Sequence, residues 1–463
     1  MKKTADLLLG LTLCCLFSCE AKKTPVLASI SPDNEVSATP SFQLVAKGSD
    51  FEEGSQIVFN GRVKATSLVG SSELRCEIAS SDMAFVPESS LIKKVPVRVR
   101  TSEAKESNRL DFTIYSYPEF LLAKKIADST TSYSDTLHPL IDIDEDKNLY
   151  VVWRDLTTLF SSYSADGGAT WSSPVLIIST LAPFYEFSMA VQKTTGTIDV
   201  VWEEGDVIHF SRSSDSGQTW AAPRALTQQT VWKASNPGIF IDSGGTLYVP
   251  YLNSNDNRWK YSVNILKSAD DGDTFSAAGQ IDWYTYFSGE NCPEICADGT
   301  GLLYIVFPSD LNTKYATSCL AFSLDAGLTW SDPQMISCLL PALATDDENG
   351  LNIIGSEQEV PSSYDLQFKR TVDRGATWAS HDFEDTGYSV SDIWMNPLGG
   401  TDIIWKNVFV RSFDRGVSWK PRVQYTAAET ADGPSFVEDG SGRVYIVWWD
   451  GDGGIYFTGS KPD

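Results

Sequence analysis

The octapeptide SADGGATW, Ser164 to Trp171, is rewritten five more times, as SSDSGQTW (213–220), SADDGDTF (268–275), SLDAGLTW (323–330), TVDRGATW (371–378) and SFDRGVSW (412–419). Six near-copies at intervals of 41 to 55 residues commit most of this chain to a repeat architecture, in which one supersecondary unit is made again and again. Each part of the octapeptide suits a hairpin corner. The aspartate and hydroxyl side chains can accept hydrogen bonds from turn N–H groups that no strand ladder satisfies. The glycine takes backbone angles that a side chain would forbid. The final Trp or Phe buries its ring between neighbouring sheets. Asp166, Asp215, Asp270, Asp325, Asp373 and Asp414 are therefore read as structural.

The motif resembles the Asp-box, or BNR, repeat of β-propellers, a group that includes the sialidases. The resemblance covers residues 119–463 and implies that each box sits on the turn joining the third and fourth strands of a blade. Second strands should then be apolar runs, and seven stand out: NLYVVWRD (148–155), TIDVVWEE (197–204), TLYVPYLN (246–253), LLYIVFPS (302–309), GLNIIGSE (350–357), TDIIWKN (401–407) and RVYIVWWD (443–450). The chain ends soon after the seventh, with GGIYFTGS (453–460) as a third strand and nothing left for a fourth. The missing strand is expected from EFLLAKKIADST (119–130), which precedes the first blade and would close the ring, removing an exposed sheet edge. Seven units of about 49 residues fill 119–460; six blades, as in sialidases, is the competing count.

If the boxes occupy one rim, the loops after each second strand and the connections between blades lie on the opposite rim, where a ligand site is expected. Those positions supply Arg154, Asp155, Glu203, Glu204 and Asp450 as candidate catalytic groups, and Trp232, Arg258, Trp259, Tyr284, Tyr286 and Trp449 as candidate ligand-binding groups. Aromatic rings interleaved with carboxylates suit sugars; an acidic, solvated rim with half-buried rings accounts for the same residues without a ligand. The sialidase resemblance implies three arginines, a tyrosine nucleophile with a glutamate partner, and an aspartate acid/base. The family's first arginine belongs to an Arg-Ile-Pro motif ahead of the first blade, but LHPLIDID (137–144) has no arginine there. Arg154 can serve as one member and Asp155 as the acid, whereas Arg212, Arg370 and Arg411 directly precede boxes and fall on the other rim. Other glycosidases need only two facing carboxyl groups, for which Glu203, Glu204, Asp155 and Asp450 are candidates. The alternating aspartates of DIDEDKN (142–148) have the look of a calcium loop, yet IDSGGT, ADGTGL, TDDENG and EDGSGR recur at equivalent turns, so all are read as first-to-second-strand hairpins and no metal is expected. Three scattered histidines and the lack of a Gly-rich phosphate loop exclude a histidine-based triad and give no reason to expect a cofactor.

Ahead of the repeats, residues 25–118 alternate strand and turn signals without a helical segment. Asn60-Gly61 marks a tight hairpin, and VPVRVRT (95–101) has the period of two of a half-buried strand. The segment reads as a β-sandwich. ASISPDNE (28–35), VAKGSDFEEGSQIVFNG (45–61) and VRVRTSEAKESNRLDFTIY (97–115) resemble the IPT/TIG family of immunoglobulin-like domains, which implies a spacer or interaction module. The expected fold class is thus all-β, an Ig-like sandwich followed by a propeller.

At the start, Lys2 and Lys3 precede an apolar run from Leu7 to Phe17, as in a secretory signal. Leu16-Phe17-Ser18-Cys19 resembles a bacterial lipobox, which implies removal of residues 1–18, lipidation of Cys19 and a tether over 19–24; an ordinary signal peptide is the alternative. No run of 18 apolar residues spans a membrane as a helix. The formal charge of −25 repels nucleic acid and anionic headgroups and favours neutral or cationic partners. Cys76, Cys292, Cys296, Cys319 and Cys338 follow Cys19, and the clustering of the last four suggests one or two local disulfides in an oxidising compartment. The chain is read as an exported envelope lipoprotein that binds a glycan or an extracellular protein. A glycoside hydrolase, sialidase included, is the second hypothesis, and a surface protein without a specific ligand the third.

Overall fold

The computed structural model describes residues 23–37, 41–83, 92–115, 118–128, 138–180, 186–229, 232–255, 261–283, 292–309, 317–360, 363–386, 391–396 and 399–461. The chain divides into two compact units, residues 1–117 and 118–463. Among the described residues the single helical element is a 3-10 turn, Ser80–Asp82, and everything else regular is strand.

Among the described residues the first unit holds two sheets. Val26–Ser31, Phe42–Ser49, Glu73–Ile78 and Thr66–Gly70 form one, and Asn34–Val36, Leu110–Tyr115, Ile92–Arg100, Gln56–Phe59 and Arg62–Val63 the other. The alternation read in the sequence is visible in the packing: Val95, Val97 and Val99 are buried beside Phe59, Leu44 and Phe112 in one apolar core. Asn60 and Gly61 both take positive φ (48° and 77°), so the hairpin turns with the twist of its strands.

Among the described residues the second unit contains seven antiparallel sheets, numbered in chain order. Sheet one is Leu140–Ile143, Leu149–Asp155, Thr158–Ser164 and Val175–Ser179; sheet two is Phe187–Val191, Ile198–Glu204, Val207–Ser213 and Arg224–Ala225. Sheet three is Trp232–Ser235 with Phe240–Ile241, then Leu247–Asn255, Tyr261–Ser268 and Ser276–Trp283; sheet four is Glu294–Ala297, Leu303–Ser309, Thr317–Ser323 and Gln334–Ile336. Sheet five is Leu339–Thr345, Leu351–Val360, Ser363–Thr371 and Ala379–Thr386; sheet six is Ser391–Met395, Thr401–Trp405, Val408–Ser412 and Val423–Gln424. Sheet seven takes Asp432–Glu438, Val444–Asp450 and Gly454–Gly459 from the end of the chain and Lys124–Asp128 from the start of the unit. Lys124 lies opposite Phe457 and Asp128 opposite Gly454, so Lys124–Asp128, within the expected closing segment, is the outer strand of sheet seven.

The boxes explain how the sheets adhere. In each, the first hydroxyl donates to the aspartate while accepting from the glycine N–H, as in Ser323 to Asp325 (2.8 Å) and Gly327 to Ser323 (2.9 Å). The second carboxylate oxygen accepts the later hydroxyl, Thr329 to Asp325 at 2.6 Å. The ring then lies on the preceding sheet: Trp171 against Phe457 (5.0 Å between centroids), Phe275 against Phe210 (5.2 Å) and Trp419 against Phe368 (5.1 Å). The glycines seat there too. A Cβ on Gly168 or Gly416 would stand 2.1 Å from the ring of Phe457 or Phe368, and both take positive φ. Box one thus rests on sheet seven, which closes the circle.

These hydrogen bonds hold the carboxyls of Asp166, Asp270, Asp325 and Asp373 down to about 2, with hydroxyl and backbone donors of the turn as the cause, and lower Asp215 by the same contacts. A depressed carboxyl contributes stability above its ordinary range and loses it as pH falls through the folded value. Acidification from about 4 towards about 2 is accordingly expected to unfold the second unit, read by circular dichroism; a ring intact at the lower end would disprove the bracing role.

The inner strands touch in the same circular order. Val191 N donates to Asp142 (2.9 Å, sheets two and one), Ile239 N to Ser188 (3.3 Å, three and two), Thr345 Oγ1 to Ala297 O (2.7 Å, five and four), Phe436 N to Asp392 (3.1 Å, seven and six) and Ile141 N to Ser435 (3.5 Å, one and seven). A second set of corner acceptors, beyond the boxes, caps the first-to-second-strand hairpins. Asp144 accepts from Asn148 N (2.8 Å) and Tyr150 OH (2.7 Å), Asp346 from Gly350 N (2.7 Å), and Asp439 from Arg443 N (3.1 Å). Among the described residues no group of three or more His, Cys, Asp or Glu is arranged to hold a metal ion.

The disulfide expectation needs correction. Cys76, Cys292, Cys296, Cys319 and Cys338 are free thiols. Strand parity is one reason: Cys319 faces the core shared by sheets three and four, whereas Cys296 and Cys338 face the core shared by sheets four and five.

Candidate ligand-binding site at the channel mouth

The third strands run into boxes at the end where Leu149 pairs with Ser164 and Ile198 with Ser213. Their other ends, at Thr158 and Val207, therefore mark the opposite rim, and carboxyl groups gather just inside it. Glu203 pairs with Ile208 one step from that rim, and its N–H donates to the carbonyl of Glu186 (3.3 Å), which sets Glu186 level with it at the head of the inner strand. Glu294 opens the inner strand of sheet four, and Asp392 is second in that of sheet six. The Cys292 thiol reaches Glu186 Oε2 at 3.6 Å, joining sheets four and two past sheet three.

The environment raises several of these groups towards neutrality. Burial, with Asp206 adding repulsion, raises Glu203 to about 7. Glu294 opens onto channel water yet is enclosed by protein; that enclosure, reinforced by Asp392, also raises it to about 7. Burial lifts Asp392 to about 6 against hydrogen bonds from Phe436 N, Ile393 N and Ser435, and Asp142 pushes it further. Burial followed by Glu186 and Glu294 holds the Cys292 thiol well above its ordinary range. Near neutrality the mouth thus presents carboxylic acids, which donate hydrogen bonds or protons, beside carboxylates, which accept them.

At the box end, side chains of different sheets meet across the centre. Lys193 of sheet two lies over the ring of Trp394 of sheet six, 5.9 Å from its centroid, while its ammonium also meets Asp142 and the carbonyl of Ile143 (2.9 Å). Sheets seven and one lie between sheets six and two along the ring, so this contact crosses the centre and forms a floor beneath the carboxyl groups.

The arginines before the boxes are engaged at that same end. Arg212 pairs with Asp199 (2.7 Å), Arg370 with Asp346 (2.6 Å) and Glu348 (3.2 Å), and Arg411 with Asp402 and Glu438 (3.0 Å). Arg212 and Arg411 pin second strands to third strands, and Arg370 pins the first-to-second-strand hairpin of sheet five to its third strand.

Of the sequence candidates, Glu203 lies in the mouth group and Glu204 follows it at the rim, half-buried. Arg154 (2% exposed) and Asp155 (9%) are buried at the end of the second strand of sheet one. Asp450 is a turn acceptor, taking Thr430 Oγ1 and Gly451 N (2.8 Å). Trp449, expected to present its ring at the rim, is 6% exposed and packs with Trp153 and Phe457; strand alternation turns it towards sheet one with Tyr445 and Val447. Trp232 begins the inner strand of sheet three. Arg258, Trp259, Tyr284 and Tyr286 lie outside the described residues. Glu186, Glu294, Asp392 and Cys292 are not among the sequence candidates, because, apart from the acids' place at or just before the start of an inner strand, nothing in their local sequence separates them from the many other polar residues near strand ends.

A closed circle of antiparallel sheets braced by Asp-boxes, with a site at the mouth opposite them, defines a propeller-like, sialidase-like fold. The chain belongs to the family of BNR repeat-like domains, whose model matches residues 203–446. No curated protein matches it. Among solved structures, the polysaccharide lyase Uly1 is 9% identical, with 74% of this chain and 100% of that chain covered and a TM-score of 0.51. The Hadza microbial sialidase Hz136 is 15% identical over 95% and 93% of the two chains, TM-score 0.46. The α-L-arabinofuranosidase Arb93A from Fusarium graminearum is 13% identical over 73% and 97%, TM-score 0.47. At such identities the likeness to the lyase is one of fold.

Proposed function

We infer that the chain is an exported envelope lipoprotein, anchored through Cys19, in which an Ig-like sandwich of the IPT/TIG type carries a seven-bladed propeller that binds the end of a neutral glycan at its channel mouth. The observation that carries the ligand class is the acid-lined mouth above the Lys193–Trp394 floor. Protonated Glu203 and Glu294 suit sugar hydroxyls. Sialic acid would meet acidic groups, while Arg212, Arg370 and Arg411 are held in ion pairs at the far end. Lys2, Lys3, the apolar run and the Leu16–Cys19 motif support export and anchoring.

One observation favours hydrolysis as a second reading. Glu294 and Asp392 are two enclosed carboxyl groups, both raised by burial, and the charge of Asp392 adds to the rise at Glu294, as suits a pair that shares acid and carboxylate roles. A glycan array followed by calorimetry with matched neutral and sialylated oligosaccharides tests the main reading. Neutral chains are expected to bind and their sialylated counterparts to bind more weakly. Preference for the sialylated member overturns the assignment.

A further inference from the structure

Away from the mouth, the seam between sheets six and seven encloses an unbalanced charge cluster. Arg411 is 1% exposed; its Nε donates to both oxygens of Asp402 (2.8 and 3.0 Å), and its Nη2 reaches Asp402 and Glu438 Oε2 (3.0 Å). The side chains of Asp402 and Glu438 have no solvent exposure, and Glu438 Oε1 receives no hydrogen bond. Two carboxylates against one guanidinium would seal a net negative charge in a dry seam, which proteins avoid by binding a proton.

We propose that Glu438 is a neutral carboxylic acid in the folded protein, keeping its proton and donating a hydrogen bond to Asp402, so that the seam between sheets six and seven is a proton-dependent latch. The groups that face it are consistent with this. Asp402 and Arg411 come from sheet six; Asp439 lies next along its own strand, with Lys147 of sheet one at 3.0 Å from that carboxylate and Arg443 on the following strand. Burial drives the Glu438 carboxyl well above its usual range, Arg411 opposes this, and Asp402 and Asp439 add to it. The latch reaches the mouth, because the same inner strand holds Asp392 through Ser435 Oγ (3.3 Å) and Phe436 N (3.1 Å).

A raised carboxyl contributes stability that is complete below the ordinary glutamate range and is lost as pH rises towards its folded value. Across that interval the folded chain holds one proton that the unfolded chain releases, so the unfolding constant grows up to tenfold per pH unit from this group alone. Urea unfolding of the full chain and of Glu438→Gln from pH 5 to pH 9 tests the latch. The amide copies the shape and donor of the neutral acid. The variant is expected to fold, to match or exceed the wild type in stability near neutrality, and to show a pH slope shallower by one proton. Asp402→Asn should flatten the slope in the same way. A Glu438→Gln protein that does not fold, or that is less stable with an unchanged slope, overturns the proposal, because either result makes Glu438 a working carboxylate.

Discussion

A chain lacking residues 119–128 is expected to lose the cooperative unfolding transition of the second unit while keeping that of the first. The deleted segment does three things. It supplies the outer strand of sheet seven, so its removal leaves Gly454–Gly459 as an unpaired edge. It places Phe120 edge-on against Phe409 (5.6 Å) and Tyr425 (6.1 Å), tying the first residues of the unit to the core between sheets six and seven. It carries Lys124, whose ammonium donates to Gly168 O (3.2 Å) in the first box, at the junction where the circle closes. Several backbone hydrogen bonds at roughly 1 kcal/mol each, with a half-buried phenylalanine worth about 2 kcal/mol, total about 5 kcal/mol. A domain's whole net stability is about 5 to 15 kcal/mol, so the ring has little left once the strand is gone. Calorimetry of the deletion variant beside the intact chain reads the result. The first unit has its own core and serves as the internal reference. An unchanged transition of the second unit would mean that the circle does not depend on this strand.

The second large effect concerns pH at the mouth. Glu203 and Glu294 ionise at about 7 in the folded chain, above the ordinary glutamate range. The native state therefore holds two protons that the unfolded state gives up at lower pH. Stability from these groups is complete below the ordinary range and declines as pH rises through about 7. Ligand binding should follow the same course, because each ionisation replaces a donor with an acceptor and adds charge against Asp206 or Asp392. Affinity for a neutral glycan is expected to fall about threefold to tenfold per donor lost as pH passes 7, the equivalent of one ordinary hydrogen bond. Glu203→Gln and Glu294→Gln keep a donor at all pH values. Each should retain binding and lose its own share of the pH dependence, and the double variant should lose both shares, as measured by calorimetry on either side of neutrality. If the site instead hydrolyses its glycan, the same variants would bind but lose turnover, because an amide cannot deliver a proton. A pH profile unaltered by either substitution would remove these two groups from the site.

Much of the architecture was legible in contiguous residues. The octapeptides announced their corners, since Asp, Gly and a ring at fixed offsets serve one turn geometry. Leu149–Asp155 and Val444–Asp450 announced buried strands by unbroken apolar runs bounded by turn residues. The hairpin aspartates Asp144, Asp346 and Asp439 were visible too, and reading them as corners agrees with the N–H groups they accept.

The site was far less legible. Glu203 was within reach because it ends a recognisable strand. Glu186 and Glu294 stand at the heads of two different inner strands, 108 residues apart, and Glu186 reaches the Cys292 thiol beside Glu294 only because the sheets close into a circle. Trp449 looked like a rim aromatic, but the alternation of its strand turned it into the core. The cysteines looked pairable in a local window, yet opposite faces of one sheet keep Cys296 from Cys319.

Alone, then, the sequence determined the repeat, its corners and its strands, because turn chemistry and strand period act between residues a few places apart. Tertiary structure decided which carboxyl groups share the mouth, which arginines are consumed in ion pairs, and which ring crosses the channel. Those outcomes depend on distances between residues from different sheets, and only closure of the ring sets such distances.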